Sequence, residues 1–225
     1  MTDSDTLVLL HTAPANETTF AALMAEIGPE VPIRHVTDAE VLKQTVVAGG
    51  VTPEVAARVR DRIREMAEAG AGLIVCTCSS IGGAAERAGE EVAVPVLRID
   101  RAMAERAIAV GRRILVAACL NSTVEPTEEL IRRVAREQGA EVDLRTVVFT
   151  DAWARFAAGD REGYVRAVAD GLREAAGDAE VVVLAQASMA GAAELCPEIA
   201  VPILTSPRLG AEAVVAAYRS RFAGG

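Results

Sequence analysis

Apolar and polar positions follow two periods along the chain. Short continuous apolar runs at residues 6–10, 31–36, 73–78 and 92–97 read as strands buried on both faces. Between them lie stretches with a helical repeat, of which the strongest is Val55, Val59, Ile63 and Met66, spaced by three and four with Arg and Glu in between. Thr52-Pro53 opens that helix as an N-cap followed by proline, and Gly70 closes it. The pattern also predicts a loop over 11–16, a helix over 18–27 stopped by Gly28-Pro29, and a helix capped by Asp38 that ends at Gly49-Gly50.

The order then repeats. Strands are predicted over 114–119, 142–148, from 181, and over 199–204, with Leu120-Asn121-Ser122-Thr123 answering the loop at 13–16. Leu130, Ile131 and Val134 mark one helix of this half, and Tyr164, Val165, Val168 and Leu172 mark another, capped by Asp160. Setting Leu7 on Ile114 is an offset of 107 residues and setting Cys78 on Ala187 one of 109, so the halves keep register within two residues. The fold class is therefore α/β: two pseudo-symmetric lobes from an internal duplication, each a parallel sheet flanked by helices, with the active site in the cleft between lobes. Lobe one is expected to comprise 1–98 plus 208–225 and carry the Cys78 turn, and lobe two 99–207 with the Ala187 turn. The segment 102–110 leads into lobe two, and 211–218 returns to pack on lobe one.

Composition narrows the function. The 225 residues are 51% hydrophobic but only 3% aromatic, so Ala, Val, Leu and Ile build the core. A net charge of −9 without a basic run argues against nucleic acid and anionic membrane. No uncharged run is long enough to span a bilayer, and the acidic start is unlike a secretory leader, so the expected location is cytoplasmic. The expected partner is a small molecule, with self-association left open. Cys76 and Cys78 form C-x-C, but no second pair accompanies them and the two histidines lie far upstream, so no metal site is expected.

The chemistry concentrates where the 73–78 strand breaks into Cys78-Ser79-Ser80-Ile81-Gly82-Gly83. Reactive groups in parallel sheets sit at such strand ends. A thiol beside the next helix N-terminus is expected to have its pKa lowered from about 8.5 toward roughly 3.5 to 7.5. Cys78 is the candidate nucleophile or base; Cys76, two residues earlier, is assigned to the core. Ser79 and Ser80, with Pro14, Asn121, Ser122, Thr123 and Ser188 in the equivalent loops, suit a substrate carboxylate, although several can equally cap helices. His11 and Cys119, at the ends of the first strand of each half, are candidates for a second acid or base, set against a reading as packing. Arg98, Arg101 and Arg208 follow the last strands and read as surface.

With these residues in hand the chain resembles the aspartate/glutamate/hydantoin racemase superfamily. The likeness rests on Thr77-Cys78-Ser79-Ser80, on Gln186-Ala187-Ser188-Met189 in the second half, and on Val94-Pro95-Val96-Leu97 and Val201-Pro202-Ile203-Leu204. It implies two lobes, no cofactor, a small carboxylate between them, and one cysteine per lobe on opposite faces of the substrate carbon. Here the chain departs from the pattern: Ala187 aligns with the second cysteine, and Ala185, Gln186 and Ser188 beside it offer no base near neutral pH. Cys196 lies past the turn and reads as structural. The implied activity is cofactor-independent racemisation or epimerisation through Cys78. The alternatives are a one-cysteine decarboxylase or cis-trans isomerase, as in the related arylmalonate decarboxylases and maleate isomerases, or a non-catalytic small-ligand-binding protein.

Overall fold

A computed structural model describes residues 5–222. The chain divides into two compact units, residues 1–101 with 207–225 and residues 102–206. In the first, β1 (Thr6–His11), β2 (Ile33–Thr37), β3 (Ala71–Cys76) and β4 (Val96–Arg98) form a parallel sheet in the order β2-β1-β3-β4. The second repeats it with β5 (Arg113–Ala118), β6 (Asp143–Val148), β7 (Val181–Leu184) and β8 (Ile203–Thr205), in the order β6-β5-β7-β8. The duplicated parallel α/β pattern expected from the sequence is the architecture observed.

The helices of the first unit are α1 (Pro14–Ile27), α2 (Ala39–Ala48), α3 (Pro53–Glu68) and α4 (Gly82–Gly89). Val55, Val59, Ile63 and Met66 of α3 are all buried against Val8 and Leu10 of β1 and Ile74 and Cys76 of β3. The Thr52 hydroxyl accepts from the Val55 N–H at 3.3 Å, which is the cap expected there. The Asp38 cap is not formed. Asp38 precedes α2 but its carboxylate turns to Arg58 (2.9 Å) and Arg62 (2.8 Å) of α3, because two guanidinium groups outcompete one backbone donor for a buried carboxylate.

The second unit contains α5 (Arg101–Val110), α6 (Asn121–Glu137), α7 (Thr150–Ala157) and α8 (Arg161–Ala175), while α9 (Ser206–Phe222) belongs to the first. Asp160 caps α8 through the Gly163 N–H at 2.8 Å. Two helices begin earlier than expected, α1 at Pro14 and α6 at Asn121, so the residues read as strand-end loops form first helical turns. The last strands are also shorter than the apolar runs: Pro95 and Pro202 lack an N–H and offer only carbonyls, to Ile74 N (3.0 Å) and Val182 N (2.9 Å). Among the described residues no helix is long and apolar enough to cross a membrane.

Candidate active site

Strand β3 ends at Cys76, two residues short of the expected end. Thr77 still donates its N–H to Leu10 O at 3.0 Å and Cys78 stays extended at φ −111° and ψ 115°. Ser79–Ile81 then makes a single 3-10 turn that delivers the chain to α4. Cys78 therefore stands where the sheet ends and the helical layer begins. Of the four free cysteines it alone is partly exposed; Cys76, Cys119 and Cys196 are buried.

Four donors surround the Cys78 sulfur: the Thr12 hydroxyl, the Ser80 hydroxyl, and the Ser80 and Ile81 backbone N–H groups. Thr12 comes from the end of β1, the others from the turn itself. All four favour thiolate, yet burial outweighs them and the thiol pKa is raised above its ordinary value. The expected lowering is thus reversed: the pull of a helix end is real but smaller than the cost of desolvating a charged sulfur. At neutral pH the resting group is S–H, with the donors in place to receive negative charge once the proton leaves.

Cys76 packs in the core, fully buried, with Sγ–H directed to Cys78 O at 3.4 Å, and desolvation pushes its pKa far up. Ser79 is held elsewhere. Its hydroxyl donates to Asp100, which also takes a two-pronged contact from Arg98 at 2.7 and 2.8 Å, with Glu86 3.6 Å from the same guanidinium. Arg98 is not a surface residue, as the sequence suggested, but 5% exposed. It lies against the start of α4: a Cβ on Gly82 would sit 2.7 Å from Arg98 Cζ, so only glycine leaves room for the guanidinium. This buried pair underlies the turn that carries Cys78.

His11 is fully buried and both its ring nitrogens are engaged, Nδ1 with Thr77 Oγ1 at 2.8 Å and Nε2 with His35 Nδ1 at 2.9 Å. Burial and then His35 lower its pKa to about 4, so it is neutral at physiological pH. Cys119 is buried within the second core, its pKa pushed up to about 11 by desolvation despite a hydrogen bond with Tyr164. Tyr164 Oη also meets Ser188 Oγ at 2.9 Å. Pro14 and Asn121 are exposed at the starts of α1 and α6, Thr123 is buried, and buried Ser122 Oγ has no partner among the described residues.

The second unit corrects the alignment of the two halves. Leu10 pairs with Cys76 as Ala117 pairs with Leu184, and Thr77 N bonds Leu10 O as Ala185 N bonds Ala117 O. That register is an offset of 108 residues between β3 and β7, so Cys78 corresponds to Gln186 rather than Ala187. The backbones agree, with Gln186 at φ −123° and ψ 136° immediately before its own 3-10 stretch, Ala187–Leu195. Gln186 Oε1 accepts from Cys119 N at 2.6 Å and Leu120 N at 3.2 Å. Thr12 and Asp100 were not singled out as site residues from the sequence, and Gln186 and Tyr164 were read there only as a turn residue without a usable base and as a helix marker, because their roles rest on tertiary contacts. Among the described residues no cluster of His, Cys, Asp and Glu could hold a metal ion.

The sequence profile described as Asp/Glu/Hydantoin racemase matches residues 67–214. Three solved structures show how far the fold extends. Glutamate racemase from Thermus thermophilus, in complex with beta-chloro-D-alanine, is 20% identical with a TM-score of 0.70, over 98% of this chain and 82% of that one. An aspartate racemase homologue from Pyrococcus horikoshii OT3 is 18% identical with a TM-score of 0.66, over 95% and 99%. Arylmalonate decarboxylase is 18% identical with a TM-score of 0.53, over 98% and 94%. No curated protein matches. At these identities the structures speak for the fold alone, but the profile covers well over half of the chain, which belongs to the Asp/Glu/hydantoin racemase family.

Proposed function

We propose that the protein is an enzyme acting on a small carboxylate, without a cofactor, in which Cys78 moves a proton at the carbon next to the carboxylate from one side only. The observation that carries this is the Cys78 environment: one partly exposed thiol among four, ringed by donors from Thr12, Ser80 and Ile81. When a carbanion or enediolate forms at that carbon, its electron pair takes the Sγ proton. The S–H pair stays on sulfur, and the donors stabilise the resulting thiolate. Solvent then reprotonates the sulfur. The opposite direction, in which thiolate removes the α-proton, uses the same groups.

Two features favour proton donation, as in decarboxylation of a malonate-type acid, over two-sided racemisation. Burial keeps Cys78 as thiol, which is the donor form. The position equivalent to Cys78 carries Gln186, whose amide neither gives nor takes a proton near neutral pH, and Cys119 is buried with a raised pKa.

The test is incubation in D₂O with 2-methyl-2-phenylmalonate, whose product has a stereocentre, and separately with the enantiomers of glutamate and aspartate, following carbon dioxide release, deuterium incorporation and optical rotation. The expected results are one deuterium per product with a single configuration, and a loss of at least about 10²-fold in Cys78→Ala. Rapid racemisation of an amino acid by the wild type, or full turnover by Cys78→Ala, would overturn the one-thiol reading.

A further inference from the structure

Gln186 stands at the position where the duplication places a counterpart to Cys78, and its side chain is neither exposed freely nor packed away. Its carboxamide reaches over the end of β5, where Oε1 accepts from two successive backbone N–H groups, Cys119 at 2.6 Å and Leu120 at 3.2 Å. These contacts fix which way round the amide lies. A flipped amide would set its own N–H hydrogens against two N–H donors, replacing two bonds by two repulsive contacts. Nε2 must therefore point away from the start of α6.

Nε2 has no acceptor among the described residues, and it is not sealed from solvent, since the buried side-chain nitrogens that lack a partner do not include it. Gln186 is only half-buried, so a ligand can approach. The result is a rigid fork: a dipole oriented by the backbone on one side, two N–H hydrogens on the other, at a strand end of a parallel sheet. Such an amide is a donor to oxygen. It suits a carboxylate or carbonyl oxygen and offers nothing to an ammonium group.

We infer that Gln186 is a ligand-positioning residue, whose anchored amide donates from Nε2 to an oxygen of a small acid bound at this strand end of the second unit. The inference rests on the reading that the protein takes a small carboxylate, and it adds a specificity: a molecule with a second oxygen-bearing group, such as a malonate, is preferred over an amino acid that presents an ammonium group there.

Gln186→Glu separates this role from a structural one. A carboxylate of the same shape keeps both N–H contacts and adds a favourable charge at a helix N-terminus, but it has no hydrogens to donate and repels an anionic ligand. Phenylmalonate is titrated into wild type, Gln186→Glu and Gln186→Ala, with affinity read from the rise in melting temperature. The expected outcome is a Gln186→Glu protein that melts at or above wild type without ligand, yet binds phenylmalonate on the order of 10- to 100-fold more weakly. Gln186→Ala is expected to melt lower and also to bind more weakly. Equal affinity in wild type and Gln186→Glu overturns the assignment while leaving the carboxylate reading intact. A wild type that binds neither phenylmalonate nor unsubstituted malonate overturns both.

Discussion

The buried pair beneath the Cys78 turn supports a quantitative prediction. Asp100 is 1% exposed and Arg98 5%, so Asp100→Ala takes the two-pronged carboxylate away from a buried guanidinium that keeps Glu86 at 3.6 Å. Breaking one side of such a pair costs about 3 to 5 kcal/mol, and the lost Ser79 contact adds roughly 1 kcal/mol. Against a typical total stability of about 5 to 15 kcal/mol, that is a large fraction. Asp100→Asn keeps an acceptor and is expected to lose less. Urea unfolding of the first unit, followed by circular dichroism and by alkylation of Cys78, measures both the stability and the integrity of the turn. The double replacement Arg98→Met with Asp100→Leu removes both charges together and is expected to lie closer to wild type than Asp100→Ala. Acid provides a second view of the same pair. Burial would raise the Asp100 carboxyl pKa, but Arg98 and the Ser79 hydroxyl hold it below its ordinary value. A lowered folded-state value stabilises above the unfolded pKa of about 3.9 and is lost as pH falls through the folded value, so this contribution fades only below about pH 4. An Asp100→Ala protein within about 1 kcal/mol of wild type would refute the reasoning.

Two further outcomes follow from the titrating groups. Iodoacetamide is expected to label Cys78 before the three buried cysteines, slowly at pH 7 and faster as pH rises past 9, because the thiol pKa is raised; peptide mapping across pH checks this, and prior labelling of Cys76 would reverse the assignment. His11, lowered to about 4 by burial, stabilises the fold above the unfolded pKa of about 6.5, and this is lost as pH falls toward 4; a His11→Gln protein should show a flatter stability profile between pH 6.5 and 4, against a wild-type change of about 3 kcal/mol, read from urea midpoints.

Strands, α3 with its Thr52 cap, and the duplication were legible in the sequence because each is written in local periodicity. The Cys78 turn was legible too, as an apolar run broken by small polar residues. What escaped notice depended on tertiary contacts and on burial. Asp38 has the form of a helix cap, but Arg58 and Arg62 arrive from the next helix and take it. Arg98 follows a strand with no sign that Asp100 and Gly82 enclose it. The match of Cys78 to Gln186 depends on which backbone groups pair between β5 and β7, and a register uncertain by one residue exchanges an alanine methyl for an amide fork. The Cys78 pKa was misjudged in sign because helix-end position can be read from sequence, whereas the depth of burial around a sulfur cannot.

The return of α9 to the first unit has a consequence for the order of assembly. Residues 102–206 form one continuous unit, while the first unit is split, and α9 buries Ala211, Val214, Val215 and Tyr218. It fits closely: a Cβ on Gly28 would lie 2.8 Å from Val215 Cγ2, and one on Gly210 would lie 2.2 Å from Ile99 O. On the ribosome the usual sequence of events is N-terminal part first. Here the segment synthesised first must wait for α9 until the second unit has been made. The later-made unit can close before the earlier one, so in the newborn chain the surface around Gly28 and Ile99 that α9 packs on stays open longest.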